Sequence, residues 1–228
     1  MAFLIEFRDV TCFTEGGRVV FDRINLNLSE GERTLVTGPI ASGKSLFIKL
    51  ILGMERPATG SITVLGTDTS ALTLNELRGL RKKIGFIVED NILISNLKVI
   101  ENVALPLLYH AGLSYNESIR RAATLLTSVC YKGNPWEMPG PLPLYVKKTV
   151  AVARSLALDP RIIVCENLSE GLMPSENAFL SDVIVGYQEA QAGRMAVFTA
   201  AAGADVSRIK PTRVVRIADN GLVETAGA

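Results

Sequence analysis

Apolar and polar residues alternate along the N-terminal part of the chain. The alternation covers residues 3–10 and 18–29, which flank the turn-like sequence Glu15-Gly16-Gly17, and it is most regular over 22–28. A period of two is typical of a β-strand with one buried face. The pattern therefore predicts two antiparallel strands at the start of the chain.

A third predicted strand, residues 33–37, leads directly into a glycine-rich loop, and a helix is predicted over 43–53. Spacings of three and four place the large apolar residues of this helix on one face: Leu46, Phe47, Leu50 and Ile51. Strands are predicted at 60–65 and 84–88. The helix between them begins at the capping box Thr73-Leu-Asn-Glu76.

Helical spacing dominates the middle of the chain. The pattern is helical over 91–158, and a second capping box, Ser114-Tyr-Asn-Glu117, predicts a helix that runs to about Cys130. The stretch 133–143 is too rich in Pro and Gly to continue a helix. We interpret residues from about 91 to 158 as a helical subdomain inserted in an α/β core.

Strand-like sequence returns after residue 160. Residues 161–165 carry an unbroken apolar run, which is typical of a strand covered on both faces in a central parallel sheet. Pro174 suits the first turn of a helix that continues to about Gln191. Asn220-Gly221 predicts a hairpin turn before the last strand. The further predicted strands are 194–199, 212–218 and 222–225.

The length and composition suit one domain of this kind. The chain has 228 residues, of which 48% are apolar and 21% charged, so it can bury a large core. These features predict a single α/β domain over 1–228. It would have a central, mainly parallel sheet, an N-terminal antiparallel β-subdomain and the inserted helical subdomain.

Charge and cysteine content argue against several other classes. Lys plus Arg number 24 and Asp plus Glu 23, so the net charge of +1 provides no basic field for nucleic acid. The three cysteines lack metal-ligand spacing and favour a reducing compartment. No apolar run approaches the roughly 18 residues of a membrane span, and Glu6 comes too early for a signal peptide. We expect a cytoplasmic protein without direct membrane insertion, whose membrane role would depend on a partner.

The glycine-rich loop carries the clearest chemistry in the sequence. A strand, Gly-x4-Gly-Lys-Ser and a helix follow one another in the order of a phosphate-binding loop. Backbone N–H groups and the helix start form an anion site, Lys44 can reach the β and γ phosphates, and Ser45 can offer its hydroxyl to Mg²⁺. The alternative is a glycine-rich turn without a ligand. The candidate nucleotide-binding residues of the loop are Gly38, Pro39, Ile40, Ala41, Ser42, Gly43, Lys44 and Ser45.

The chain resembles the ATPase family of ABC transporters over nearly its whole length, and particularly the ATPases of Mla-type phospholipid transporters. The resemblance implies a P-loop NTPase fold of the ABC ATPase type that binds ATP and Mg²⁺. It also implies Ser or Asn at Ile40 and Gly at Ala41, where a Cβ costs about 1 kcal/mol or more if the backbone is left-handed. Besides the loop, the matching segments are 84–91 (Q-loop), 99–107 (the helical segment after it), 150–160 (the helix after the signature motif), 161–174 (Walker B strand and D-loop) and Thr199 (start of the H-loop).

Most positions that the resemblance marks as hydrolytic carry other residues. Glu166 corresponds to the Walker B aspartate that holds Mg²⁺ through water, and it keeps a carboxylate. Asn167 corresponds to the catalytic glutamate, but an amide cannot act as the general base, which contributes about 10² to 10⁴ in rate. Ala200 corresponds to the H-loop histidine. Glu89 corresponds to the Q-loop glutamine and lies either near the phosphates or in solvent beside Asp90. We assign no catalytic residue, and the candidate metal ligands are Ser45, Glu166 and Glu89.

The remaining motifs also depart from the family. The signature Leu-Ser-Gly-Gly-Gln corresponds to 142–146, where Pro143 lacks an N–H and larger residues replace glycines, so we expect no clamp on a nucleotide held by an opposite subunit. Met173 corresponds to the D-loop aspartate. Phe13 lies near the adenine-stacking aromatic of the family, and simple packing is its alternative role. We interpret the sole histidine, His110, as a solvated residue at a helix end.

Three hypotheses remain open at this point. The first is an ATP-binding subunit of an ABC complex whose hydrolysis is very weak or absent. It would dock onto a membrane permease through its helical subdomain, pair with a second ABC subunit and lie on the inner face of the membrane, with lipid as a candidate cargo. The second is an active transport ATPase in which Glu89 or Glu166 activates water. The third is a structural subunit that binds no nucleotide.

Overall fold

The computed structural model describes residues 2–89, 93–201 and 203–226. Strands occupy both ends of this part of the chain, and helices dominate between residues 99 and 155. In chain order the elements are β1 (Phe3–Phe13), β2 (Val19–Ser29), β3 (Arg33–Gly38), α1 (Lys44–Ile51), β4 (Thr59–Val64), β5 (Thr67–Asp68), α2 (Leu74–Arg81), β6 (Ile84–Ile87), α3 (Val99–His110), α4 (Tyr115–Ser128), α5 (Leu144–Ser155), β7 (Ile162–Cys165), α6 (Pro174–Glu189), β8 (Met195–Ala201), β9 (Arg213–Ala218) and β10 (Gly221–Ala226).

The N-terminal strands form an antiparallel sheet, as their alternation predicts. The strand order is β2-β1-β4-β5, and β1 pairs with both β2 and β4 in antiparallel fashion. Phe7 lies opposite Leu26 in the ladder, and both side chains are buried. Thr14 and Arg18 close the turn between β1 and β2 through a backbone hydrogen bond of 2.8 Å. The predicted strands and turn are thus confirmed.

A second sheet of six strands forms the centre of the molecule. Its order is β10-β9-β3-β8-β7-β6, and all neighbouring strands except β10 and β9 are parallel. All four residues of β7 are buried, which confirms the prediction of a strand covered on both faces. Because β3, β7 and β8 are parallel, the segments that follow them emerge at one edge of the sheet. That edge holds the glycine-rich loop.

Helix α1 connects the two sheets. Phe47, Leu50 and Ile51 on its predicted apolar face are fully buried. The Phe47 ring stacks on Phe7 of β1, with centroids 4.8 Å apart and an angle of 9° between the planes. This contact is the stacked aromatic arrangement that adds to simple area burial. The position of the glycine-rich loop, just before α1, is therefore supported by the core.

The segment between β6 and β7 contains α3, α4 and α5, but its first part is not helical. Residues 93–98 form turns, so the helical prediction was wrong there, and the predicted start at Asn91 lies outside the described residues. The buried side chain of Asn102 accounts for the difference. Its Oδ1 accepts from the Ile94 N–H at 2.8 Å, and its Nδ2 donates to Ile94 O at 3.0 Å. A tertiary contact thus satisfies backbone groups that a helix would otherwise pair.

Local capping chemistry is confirmed at one helix and only half confirmed at another. At α2, the Thr73 hydroxyl accepts from Glu76 N, and the Glu76 carboxylate accepts from Thr73 N at 2.8 Å. At α4, the Ser114 hydroxyl accepts from Glu117 N, whereas the Glu117 carboxylate pairs with arginines one turn later.

The β9–β10 hairpin is confirmed, but its two central residues are Asp219 and Asn220, both with positive φ, one position earlier than predicted.

Candidate functional site

Two residues of the glycine-rich loop, Ala41 and Gly43, have a left-handed backbone. Gly43 caps α1 with φ of 107°, and a Cβ at this position would lie 2.6 Å from Val20 Cγ1, so only glycine fits. Ala41 also has a left-handed backbone, with φ of 59°. The structure therefore meets the condition under which the Cβ of Ala41 costs conformational energy.

A cleft of about 740 Å³ opens over the loop. Phe13 and Val20 border it on the side of the antiparallel sheet, and Asn167 and Glu170 border it beyond β7. Gly38 and Pro39 line a smaller neighbouring pocket instead. The predicted site residues that line the main cleft are Phe13, Ile40, Ala41, Ser42, Gly43, Lys44, Ser45 and Glu89.

Lys44 extends across the loop that carries it. Its Nζ donates to the carbonyl oxygens of Gly38 at 2.8 Å and Pro39 at 2.9 Å. Burial lowers the pKa of the Lys44 ammonium, and the nearby Glu89 carboxylate partly offsets this by raising it. The ammonium is therefore held at the loop, in the cleft that the Glu89 carboxylate also lines.

Glu89 is fixed by Asn167 rather than left in solvent. Asn167 Nδ2 donates to Glu89 Oε2 at 2.6 Å, and the Asn167 N–H donates to Thr199 Oγ1 at 3.1 Å. Asn167 has φ of 42°, and in the described part of the chain its buried Oδ1 has no hydrogen-bond partner. The structure thus joins two of the segments considered separately in the sequence. Asp90, the alternative neighbour of Glu89, lies outside the described residues.

Lys148 supports this arrangement, although the sequence did not suggest a role for it. Its side chain is buried in α5, and Nζ donates to Leu168 O at 2.8 Å and Glu170 O at 2.7 Å. The segment after β7 is thereby attached to α5. The available signal was the spacing of four residues to the apolar Val152, which places Lys148 on the buried face of that helix.

The oxygen ligands in the cleft suit Mg²⁺, which proteins bind through one or two carboxylates together with phosphates and water. The Ser45 and Glu89 side chains both belong to the cleft lining. Glu166 follows β7 directly and is half-buried, but it is not among the described lining residues. No cluster of three His, Cys, Asp or Glu side chains in the described residues could hold a metal. Further ligands would thus come from phosphate and water.

The other motif positions, 142–146, Met173 and Ala200, are not among the described residues that line the cleft. Ala200 is buried in the core, and its neighbour Ala201 lines the cleft instead. Pro143 caps α5, and Leu144 in the first turn approaches Gly171 closely. Met173 caps α6 and is 64% exposed. At position 200 the side chain is thus a buried methyl group, which cannot take the place of an imidazole.

A basic groove away from the cleft is a second feature that the sequence reasoning missed. It measures about 270 Å³ and lies between α2, β6, α3 and α5. His110 is exposed at its edge, as expected for a helix-end residue. Two arginines spaced by three residues on a predicted helix were the available signal. The basic residues in its lining are Arg78, Arg81, Lys82, His110 and Arg154, and its described lining contains no Asp or Glu.

In the described part of the chain, none of the helices is long and apolar enough to cross a bilayer.

Comparison with known proteins gives consistent matches. A family model described as ABC transporter matches residues 21–168. Methionine import ATP-binding protein MetN of Caulobacter vibrioides is 34% identical over 184 residues, which are 80% of this chain and 55% of MetN. Intermembrane phospholipid transport system ATP-binding protein MlaF of Haemophilus influenzae is 32% identical over 187 residues, 82% of this chain and 70% of MlaF. The chain spans about half the length of several of the curated relatives it matches.

Solved structures agree with these matches. The dimeric post-hydrolysis state of the ATP-binding cassette MJ0796, bound to ADP and Pi, superposes with a TM-score of 0.88 and 26% identity, covering 97% of this chain and 98% of the other. This likeness confirms the predicted P-loop fold of the ABC ATPase type. With the loop geometry and the sequence matches, it establishes that the chain belongs to the ABC transporter family, as an ATP-binding domain.

Proposed function

We propose that this ATP-binding subunit holds Mg-ATP and hydrolyses it very weakly or not at all. The observation that carries the proposal is the hydrogen bond of 2.6 Å between Asn167 and Glu89, beside a phosphate loop that keeps Gly43 and Lys44. A catalytic base must accept a proton from water, and a neutral amide is too weak a base to do so. The loop thus provides for binding, while the residue at the base position cannot activate water.

The binding residues follow from the cleft. Loop N–H groups and the start of α1 would hold the phosphates, Lys44 would neutralise them, and Phe13 would stack on the base. Ser45 and Glu89 would hold Mg²⁺, and Glu166 would contribute through a water molecule. The ion would supply positive charge to the phosphates. The methyl group of Ala200 offers no donor to the terminal phosphate. This chain would therefore orient a nucleotide without completing the machinery for hydrolysis.

Partners follow from two surfaces. The basic groove between α2, β6, α3 and α5 suits an acidic cytoplasmic segment of a membrane permease, because its described lining has five basic residues and no acidic one. Such docking, through a helical subdomain of about 91–158 within a single domain of 1–228, would keep the protein on the inner face of the membrane. The name of MlaF supports lipid as the candidate cargo, whereas MetN is named for methionine import.

A second ABC subunit, identical or different, would cover the cleft. Ile40 is 95% exposed at its edge, and Leu144 and Met173 are exposed beyond Glu170. These three residues, the apolar rim of the cleft, would contact the second subunit. In this pairing the larger residues at 142–146 would replace a nucleotide clamp by direct packing.

Purified protein tests the proposal directly. We expect calorimetric binding of Mg-ATP and a turnover well below the 1 s⁻¹ that marks the lower end of typical enzymes. Lys44→Ala should abolish binding, because it removes the cation at the phosphates. Turnover of about 1 s⁻¹ or more would refute weak hydrolysis. Identical thermal stability of the parent and Lys44→Ala proteins with ATP, without measurable binding, would instead favour a purely structural subunit.

One observation favours the second candidate, an active ATPase. The family resemblance implies an amide at position 89 and a carboxylate at position 167. In this chain the two groups are exchanged, with the carboxylate at Glu89 and the amide at Asn167, and they share a hydrogen bond. If Glu89 activates water, Glu89→Gln should abolish hydrolysis. If hydrolysis is absent, the same change should leave turnover unchanged and should either leave ATP binding unchanged or tighten it, because it removes a negative charge near the phosphates.

A further inference from the structure

The cleft over the phosphate loop has an acidic charge balance. Among its described lining residues only Lys44 and Lys49 are basic, whereas four are acidic: Glu15, Glu55, Glu89 and Glu170. Repulsion between like charges increases as they approach and as water is excluded from between them. A ligand with more phosphate charge is therefore penalised more in this cleft. The size of this penalty depends on which carboxylate lies nearest to the additional phosphate.

Glu89 and the phosphate-binding Lys44 line the same cleft. The Glu89 carboxylate is close enough to raise the pKa of Lys44, although burial lowers that pKa by a larger amount. In a phosphate loop the backbone holds the inner phosphates and the lysine reaches the β and γ phosphates. A carboxylate that lines the same cleft as Lys44 would thus lie beside the outermost phosphate of a triphosphate.

The carboxylate of Glu89 is also held in that place. Asn167 Nδ2 donates to it at 2.6 Å, and Thr199 Oγ1 fixes the backbone of Asn167 at 3.1 Å. Lys148 attaches the following segment to α5. Moving Glu89 away from an incoming phosphate would break the first of these bonds and leave the Asn167 amide unsatisfied. The repulsion is therefore built into the site.

We infer that the cleft binds a nucleoside diphosphate in preference to the triphosphate, because the fixed carboxylate of Glu89 repels the third phosphate. This inference rests on the proposed nucleotide binding and specifies its ligand. A divalent cation between Glu89 and the phosphates neutralises part of the repulsion. The preference is consequently largest without the metal and becomes smaller with Mg²⁺.

Calorimetric titration of the purified full chain tests the inference. ADP and ATP are each titrated in EDTA, where hydrolysis does not interfere, and then in Mg²⁺. In EDTA we expect ADP to bind about tenfold or more tightly than ATP, a margin that one like-charge contact readily supplies. In Mg²⁺ the ratio should shrink. Equal or tighter binding of ATP in EDTA would overturn the inference.

Variants of Glu89 identify the group responsible. Glu89→Gln should remove the preference by tightening ATP binding while changing ADP binding less than about twofold, and Glu89→Asp should keep the preference because it keeps the charge. Glu15→Gln is the matched control, with the same charge change at the end of the cleft next to Phe13. An unchanged ADP-to-ATP ratio in Glu89→Gln would overturn the inference.

Two outcomes separate this inference from the proposed function. Binding of both nucleotides without preference would refute the inference and leave nucleotide binding intact. Absence of binding for either nucleotide would refute both. If Glu89→Gln does not fold, the ratio in the unchanged protein, in EDTA against Mg²⁺, decides the question, because a ratio that does not respond to the metal contradicts the role of Glu89.

Discussion

Two residues of the phosphate loop, Gly43 and Ala41, differ in the conformational cost of their left-handed backbone. Gly43 has a positive φ without cost, since it has no Cβ, but Ala41 has φ of 59° with one. Left-handed backbone costs L-residues roughly 1–2 kcal/mol. The core fixes the loop through α1, so the loop keeps its conformation although Ala41 opposes it. Part of the folding free energy is therefore used to hold this segment in place.

Replacing Ala41 by glycine should relieve that cost. We expect Ala41→Gly to raise the free energy of unfolding by up to about 1 kcal/mol, after the greater flexibility of glycine in the unfolded chain is subtracted. Ala123→Gly, at an exposed position within α4, is the control and should lower it by about 1 kcal/mol. Denaturant unfolding measures both. Equal destabilisation by the two changes would show that Ala41 is not strained.

At the scale of elements, Lys148 connects α5 to the segment that follows β7. A buried ammonium that donates to two carbonyl groups satisfies acceptors that would otherwise lack partners. The same segment contains Asn167, which holds Glu89. Two hydrogen bonds of Lys148 thus link α5 to the segment that borders the cleft.

Removing the Lys148 ammonium should destabilise the fold measurably. Lys148→Met keeps most of the side-chain volume but leaves the carbonyls of Leu168 and Glu170 without this donor, so we expect a loss of about 2 kcal/mol in the free energy of unfolding. Lys147→Met is the control, because the Lys147 Nζ makes one exposed hydrogen bond to Gly140 O. Thermal and urea unfolding compare the two variants. Losses of equal size would contradict the proposed link.

At the scale of the whole molecule, the apolar rim is a candidate contact surface. Ile40, Leu144 and Met173 are exposed there, and each replaces a small or polar residue that the family resemblance implies. Exposed apolar side chains around a cleft favour an interaction surface. The interface with a second subunit would then depend less on bound nucleotide and more on direct packing of apolar side chains.

A charge placed in the apolar rim should weaken self-association. We expect the protein to associate at micromolar concentration without nucleotide, and Met173→Asp to shift it toward monomer, because the charge loses water on burial. Met54→Asp is the matched control, since Met54 is 53% exposed beyond the opposite end of α1. Sedimentation velocity measures both variants. A monomeric parent protein, or equal effects of the two changes, would rule out the rim as the contact.

The fold was largely predictable from sequence because its signals are local. Alternation identified β1 and β2, helical spacing identified the buried face of α1, and the apolar run identified β7. The errors arose where a specific hydrogen-bond contact, rather than residue periodicity, decides the backbone. Asn102 holds residues 93–98 in turns, and the pairing register of β9 and β10 moves the hairpin turn to Asp219-Asn220. Neither contact leaves a periodic pattern.

The sequence by itself determined the family and the glycine-rich loop, because these depend on the type and order of nearby residues. Only the tertiary structure decided which side chains contact one another around the cleft. Glu89 and Asn167 are 78 positions apart, yet they share a hydrogen bond. Lys148 reaches the same segment from another helix. Such contacts are set by the packing of the sheet and helices, which brings together residues whose separation along the chain carries no signal.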